Sequence, residues 1–415
     1  YLKKTGWEPI ILTPRNSVSN FRETDVEPVY NDIKVYYTNI LEPKISFRKK
    51  TGTTGKMSSA SVFLAKDLSL KDKIIRWIRI NIFIPDAKIL WKFFAVKKGK
   101  YVIKKEKPDI ILSTSPPPTT SLVARKLAKW SKLKWIADFR DPWTNIYYYE
   151  KLNISAFSKK KNKSLEKKVL KDADKIITVS ENFFPDFKLK DKIVQIENGF
   201  DPDDIENLKF SNIKNEKFTI RYIGSLKINQ FFRNFIDILV ELDKKEEYNT
   251  KIKFETIGYT EPEIQQYIES KLNGIEVNFH GYVTHSEAIE QMATSDLLVM
   301  AIGKGEKNKN VISTKIFEYL LVGIPILAFG HQNGIANKIL KETKGGKMFG
   351  YEEYDKVRSY LLENYNNWKE NLQVHKPDQA ILKKYNFANL TERLATIMEN
   401  CISDHLPKNN NETGN

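Results

Sequence analysis

Short apolar runs alternate with helix-length amphipathic stretches along most of the chain. In the first half the runs are Pro9-Ile10-Ile11-Leu12, Ile33-Lys34-Val35-Tyr36, Asp109-Ile110-Ile111-Leu112, Lys134-Trp135-Ile136-Ala137 and Lys175-Ile176-Ile177-Thr178-Val179. A second series follows: Phe218-Thr219-Ile220-Arg221-Tyr222-Ile223, Lys253-Phe254-Glu255-Thr256-Ile257, Val277-Asn278-Phe279, Leu297-Leu298-Val299-Met300 and Pro325-Ile326-Leu327-Ala328. Runs of this length, bounded by glycine or polar turn residues, predict strands, and the intervening spacing predicts helices. The alternation predicts an α/β fold of doubly wound parallel sheets, built twice over without a sequence repeat.

Turn chemistry at Asn198-Gly199-Phe200-Asp201-Pro202 lies between the two series, which places a domain boundary there. The expected domains are 1–197 and 198–375. A helical segment, 376–404, follows, with Ile381, Leu382, Tyr385, Leu390, Leu394 and Ile397 at helical spacing and a possible return to the first domain. The polar tail 405–415 is expected to be disordered. Tyr1 to Gly6 reads as the end of a helix, and the chain opens without a methionine or a signal-peptide pattern, which suggests an absent amino-terminal segment.

A length of 415 residues agrees with two domains of roughly 200 residues each. Apolar and charged fractions of 41% and 29% are those of a chain able to bury a core. The single cysteine, Cys401, excludes an intrachain disulfide and any cysteine-cluster metal site, and suits a reducing cytosol. The longest apolar run, Leu320 to Phe329, is interrupted by Gly323 and Pro325 and is about half the length that crosses a bilayer. A net charge of +16 calls for a polyanionic partner or setting, without choosing among nucleic acid, anionic lipid and phosphorylated substrate. Lysines and arginines interleave with aromatics most densely from Lys71 to Lys105, a pattern that suits a lipid headgroup layer and equally suits ordinary packed helices with lysines outward.

In parallel sheets ligands bind at the carboxyl ends of strands, and four strand ends carry chemistry. Gly224 and Ser225 follow the first strand of the second half, where a glycine lets amides approach a phosphate. Arg233, opening the next helix, could clamp a diphosphate with its planar fork. In Ser313-Thr314-Lys315-Ile316-Phe317-Glu318, Ser313 or Thr314 reads as a helix cap and Lys315 and Glu318 share a face. A cation there serves phosphates and a carboxylate one turn on accepts from both ribose hydroxyls; the plain alternative is a surface ion pair. Asp138-Phe139-Arg140-Asp141-Pro142-Trp143 offers a general base and a group to hold it, or a structural salt bridge before a turn. The loop from Ser113 to Thr120, with Ser115 before three prolines, either lines a cleft or caps a helix. The five histidines contain no metal-spaced pair, and His285 and His331 read as ordinary loop residues. Neither a phosphate-binding lysine loop nor a nucleophile elbow is present.

Taken in order, these segments resemble a family 4 glycosyltransferase of GT-B fold, two Rossmann-like domains facing a cleft. Asp138 to Trp143 resembles the acceptor-side motif of bacterial envelope-polysaccharide members, and it stands where many members carry a histidine. Asp174 to Ser180 resembles the strand before the linker, and Glu197-Asn198-Gly199-Phe200-Asp201 resembles the linker signal. Phe279-His280-Gly281-Tyr282-Val283 and Ala293-Thr294-Ser295-Asp296-Leu297 resemble segments between the donor-domain glycine loop and the nucleotide motif. That motif pairs two glutamates separated by seven residues; Glu318 matches the later, ribose-binding one, and Asn310 stands at the earlier, donor-sugar position. Gly224 and Arg233 match phosphate-contacting positions, the second across a short insertion. The family's first strand and glycine-rich loop have no counterpart here.

The resemblance implies retaining, metal-independent transfer from a nucleotide-diphosphate sugar, with no cofactor, by a hexosyltransferase-like enzyme in cell-surface polysaccharide synthesis. Lys315, Arg233 and helix-end amides would hold the departing diphosphate, which itself helps deprotonate the acceptor. Asp138 or Asp141, with Arg140, would orient the acceptor or act as base. The acceptor would be a glycan, lipid-linked, met at an anionic membrane surface through the Lys71–Lys105 region by a cytoplasmic protein peripheral to the inner face of the plasma membrane. Alternatives are a GT-B subunit that binds a nucleotide-sugar without transferring it, an epimerase of the same fold, and a nucleic-acid-binding protein. No nucleic-acid module appears in the sequence, so nucleic acid is not an expected partner.

Overall fold

A computed structural model describes residues 1–15, 32–42, 70–146, 149–180, 183–184, 189, 191–206, 215–372 and 376–403. The expected disordered tail, 405–415, lies outside the described residues. The chain divides into two compact units, Tyr1–Glu197 with Leu390–Asn415, and Asn198–Asn389.

The strands are β1 (Ile10–Pro14), β2 (Lys34–Thr38), β3 (Ile110–Ser115), β4 (Lys134–Phe139), β5 (Lys175–Thr178) and β6 (Ile193–Gln195) in the first unit. The second holds β7 (Phe218–Ile223), β8 (Ile252–Ile257), β9 (Glu276–His280), β10 (Leu297–Ala301), β11 (Ile326–Phe329) and β12 (Gly346–Phe349). Helices α1 (Leu70–Asn81), α2 (Trp91–Glu106), α3 (Thr119–Ser131) and α4 (Ala156–Asp172) belong to the first unit. The next are α5 (Asp203–Glu206), α6 (Arg233–Asp243), α7 (Glu246–Asn249), α8 (Pro262–Glu269), α9 (His285–Ala293) and α10 (Lys315–Val322). The series ends with α11 (Ile335–Thr343), α12 (Tyr354–Lys369), α13 (Gln379–Leu382) and α14 (Phe387–Ser403).

In the second unit all six strands form one parallel sheet in the order β12-β11-β10-β7-β8-β9. The order reverses between β7 and β10, so the carboxyl ends of those two strands flank the crevice where such sheets take ligands. Helices cover both faces, and β7, β10 and β11 are therefore buried throughout. One face packs Phe232, Phe235, Leu239, Phe254 and Phe329; the other packs Met300, Ile316, Phe317, Leu320 and Leu340.

The first unit also has the parallel strands and interspersed helices expected of it. Its described strands form a two-stranded parallel sheet, β1-β2, and a four-stranded parallel sheet, β3-β4-β5-β6. Leu12, Ile40, Trp91, Ala95, Val123, Leu127 and Ile111 pack together in one apolar cluster. Asp174 and Asp296 do equivalent work in the two units. The Asp174 carboxylate accepts from the Trp135 amide at 2.9 Å, and that of Asp296 from the Thr219 amide at 2.8 Å, tying the start of one strand to its neighbour.

The expected C-terminal helical segment comprises two helices joined by a turn. Asp378 caps α13 through its side chain, Lys383–Tyr385 tightens into a 3-10 turn, and α14 starts anew after Asn386. Phe200 pairs there, its amide donating to the Tyr385 carbonyl at 3.1 Å and its carbonyl accepting from the Phe387 amide at 3.0 Å. Beyond Asn389, α14 packs Leu390, Met398 and Cys401 against Ile136, Ile177 and Ile196 of the first unit's core. Residues 376–389 group with the second unit and those from Leu390 on with the first.

Candidate functional site

Two groups of side chains gather chemistry, one in each unit. In the second unit Gly224 ends β7 at φ +126, where a side chain is strained. Its amide donates to the Ile257 carbonyl at 2.6 Å, holding the turn against β8. A Cβ on Gly224 would lie 1.7 Å from Nζ of Lys315, so the lysine rests directly on the strand-end backbone. The ammonium also stands 5.2 Å from the centre of the buried Tyr222 ring, whose hydroxyl donates to the Ser225 carbonyl at 3.1 Å. Position 224 therefore needs glycine for two independent reasons, backbone conformation and room for Lys315.

Helix α10 delivers Lys315 and, one turn on, Glu318. Tyr319 fixes the helix to the sheet: its buried hydroxyl accepts from the Ile223 amide at 3.0 Å. Gly323 closes the helix in the left-handed conformation, φ 73. The expected side-chain cap is absent, because Thr314 already has helical backbone angles and makes no capping bond. Instead Ser313 and Thr314 carbonyls accept from the Ile316 and Phe317 amides in a tight first turn. Asn310 ends a 3-10 turn, Glu306–Asn310, before that segment.

Burial pushes the Lys315 ammonium pKa down to about 8, against the pull of Glu318 and with the help of Lys227. The Glu318 carboxyl is pushed up by burial, with His285 and Lys315 opposing the rise and Asp204 adding to it. A cation strongly short of solvent compensation, set on bare backbone beside a carboxylate, is the arrangement that a bound polyanion with hydroxyls would complete.

Arg233 has a ring partner of its own. It opens α6 in an exposed position, with its guanidinium stacked 4.6 Å from the centre of the Tyr267 ring on α8. Lys227, half-buried and with its pKa lowered by burial, is the second cation beside Lys315. His285 is not the ordinary loop residue it resembles in sequence: it is the first residue of α9, with Nε2 3.3 Å from Oδ2 of Asp204. His331 remains a loop residue bonded to the Gly305 carbonyl.

In the first unit the acceptor-type motif leaves β4. Asp138 is buried, its Oδ2 accepting from Oγ1 of Thr114 at 2.9 Å and standing 3.1 Å from Nε of Arg140. Its Oδ1 is buried without a hydrogen-bond partner. Burial pushes the Asp138 carboxyl pKa up, with Arg140 and Thr114 opposing. The Arg140 amide donates to the Ser115 carbonyl at 2.8 Å, joining this turn to the end of β3. Ser115 is buried, and the bonds Ser115-Pro116 and Pro116-Pro117 are cis. The hydroxyl-rich loop does not cap α3 by its own side chains; Asp86 does, accepting from the Thr119 amide and hydroxyl at 2.8 Å each.

Asp141 stands apart from Asp138, exposed at its surface; desolvation still pushes its carboxyl upward, and exposure limits that push. The following residues are anchored from α4. Trp143 donates to Asn162 at 3.1 Å, and the Thr144 amide and hydroxyl donate to the buried Glu166 at 3.0 and 2.5 Å. Among the described residues no three or more His, Cys, Asp or Glu side chains cluster so as to hold a metal ion.

Residues 60–204 match the model of Glycosyltransferase Family 4. No curated protein is similar in sequence at a significant level. Similar solved structures include sucrose-phosphate synthase from Thermosynechococcus elongatus, TM-score 0.63 at 12% identity over 97% of this chain and 91% of that one. A lipopolysaccharide outer core galactosyltransferase matches at TM-score 0.52 and 13% identity over 96% and 100% of the two chains. An Anabaena protein determined in complex with UDP matches at TM-score 0.52 and 15% identity, over 74% of this chain and 82% of that one.

Proposed function

We propose that this family 4-type glycosyltransferase of GT-B fold moves a sugar from a nucleoside diphosphate to a hydroxyl of a lipid-linked glycan, with retention of anomeric configuration. The observation that carries the reading is the Lys315 ammonium lying on the backbone of Gly224 with Glu318 one turn away. Lys315 and Lys227 would neutralise the departing diphosphate without a metal ion, Ser225 and the first turn of α10 at Ser313 and Thr314 would line the phosphates, and Glu318 would accept from the ribose hydroxyls. The UDP bound to the similar Anabaena protein supports a nucleoside diphosphate as the ligand. Asp138 would receive or orient the acceptor hydroxyl through its unpartnered Oδ1, held in place by Thr114 and Arg140.

The acceptor would be met at an anionic membrane surface on the cytoplasmic side, in cell-surface polysaccharide synthesis. Support for this docking is the exposure of Leu70, Ile74 and Trp77 on α1 among Lys71, Lys73, Arg76 and Arg79, and of Phe93 beside Lys92 on α2. Helix α2 buries Trp91, Ala95, Val96 and Val102 and stacks Lys98 on Tyr101, as a packed helix does. Among the described residues no helix is long and apolar enough to cross a membrane.

The test is a panel of nucleotide-sugars offered with lipid-extract acceptors in vesicles. One donor is expected to yield nucleoside diphosphate and a glycosylated lipid together, faster in anionic than in neutral vesicles. Asparagine at position 310, where the family's donor-sugar glutamate stands, favours one rival: a subunit that binds the nucleotide-sugar without transferring it. Tight donor binding with no product from any acceptor would decide for that rival.

A further inference from the structure

In the second unit α9 packs against both α10, the helix that carries Glu318, and the helical turn α5. Thr284 caps α9, its side chain accepting from the Glu287 amide, while Glu287 accepts from the Thr284 amide at 2.7 Å. This reciprocal cap fixes the position of His285, whose Nε2 lies 3.3 Å from Asp204 Oδ2. The amino end of a helix disfavours a positive charge, yet the bond to Asp204 raises the imidazole pKa, with Glu318 adding to the rise.

We infer that His285, held by Asp204, is a positioning residue of the nucleotide site that keeps the Glu318 carboxylate ionised and available to the ribose. The inference rests on the reading of Glu318 as the ribose ligand. Asp204 and Glu318 are two carboxylates in one partly buried site, and the charge of Asp204 disfavours that of Glu318. The charged groups facing Glu318 are His285 from α9, Asp204 from α5 and Lys315 from its own helix. Lys315 in turn faces Lys227 after β7, while Arg221 of β7 is engaged by Glu255 at 2.7 Å and Glu287 by the cap. The Lys315 ammonium lies on Gly224 and Tyr222, and of the two cations that offset the Glu318 charge His285 is the larger contributor and the one bonded to Asp204. A protonated Glu318 would offer one acceptor fewer to a ribose diol.

The sign of the effect follows. Once the imidazole is itself neutral, at the alkaline end of the range, it exerts no charge on Glu318, so removing it changes little there. At acid pH the imidazolium resists protonation of Glu318, and its removal should let the carboxylate take up a proton at higher pH. Calorimetric titration of a nucleoside diphosphate from pH 5 to 8 tests this on the full chain. Relative to wild type, His285→Gln is expected to move the acid limb of binding up by roughly one pH unit. That corresponds to a several-fold weaker complex at the foot of the limb and equal affinity at pH 8. His285→Lys is expected to restore the wild-type limb, and any titration of the phosphate itself is common to all variants. A His285→Gln profile that overlays wild type overturns the inference, provided Glu318→Gln weakens binding and flattens the acid limb. If Glu318→Gln binds like wild type, it is the ribose reading that falls instead.

Discussion

Asp138→Asn is expected to lower the transfer rate by about 10²- to 10⁴-fold, the range by which positioned acid–base groups contribute, with nucleotide affinity unchanged. The reason is local to the first unit. Thr114 and Arg140 occupy one oxygen of Asp138, burial raises its basicity, and the second oxygen has no protein partner. A hydroxyl delivered to that oxygen would meet a base held on one side and open on the other. Asparagine keeps the shape and one carbonyl but cannot accept a proton. Asp141→Asn is expected to cost less than about tenfold, because that carboxylate is exposed and outside the Thr114 and Arg140 contacts. Steady-state kinetics with matched melting temperatures checks both; an inert Asp138→Asn beside a crippling Asp141→Asn would reverse the assignment.

Lys315→Gln is expected to lower kcat by about 10²- to 10³-fold, as loss of a preorganised group stabilising the leaving charge does. The empty protein should become more stable at the same time. With a folded pKa of about 8 against an ordinary 10.5, Lys315 is held charged at neutral pH against burial. The unfolded chain holds that proton more tightly, so wild-type stability should rise as pH climbs from about 8 toward 10.5. Glutamine removes this cost and this pH dependence together, a trade of function for stability seen at many sites. Diphosphate affinity should behave oppositely in wild type. The free site loses its proton above about pH 8 while the complex retains it, so binding weakens as pH rises beyond that point. Differential scanning calorimetry with and without nucleotide reads both trends; a destabilised Lys315→Gln enzyme with normal turnover would contradict the role.

Much of this was legible in the chain. The buried runs ending at Gly224 and Phe139 carry enough apolar length and punctuation to be read as strands, and the Lys315-to-Glu318 spacing is itself helical geometry. β6 and β12 escaped because they are three and four residues long and lean on pairing, Ile176 to Ile193 and Ile326 to Gly346, rather than on pattern. The pairing of the first unit's described strands, β1 with β2 and β3 through β6 in order, was not legible for a related reason: periodicity marks strands but not which strands share a ladder. At the site, the sequence offered Arg233 because a forked guanidinium suits a diphosphate, but its stacking on Tyr267, 34 positions on, is marked by no local spacing. Lys227 and the pair of His285 with Asp204, 81 residues apart, are partners only through the tertiary fold, and no local spacing announces them.

The central claim is that Glu318 grips a ribose while Lys315 holds the attached diphosphate. Its most direct test is a thermodynamic cycle by calorimetry, pairing wild type and Glu318→Gln with a nucleoside diphosphate and its 2′,3′-dideoxy analogue. Hydrogen bonds to a charged group contribute about 1.5–3 kcal/mol each, so wild type should prefer the natural ribose by roughly tenfold or more. Glu318→Gln should bind the natural ligand about as weakly as wild type binds the analogue, and should barely distinguish the two. A glutamine variant that discriminates between them as strongly as wild type would contradict the account.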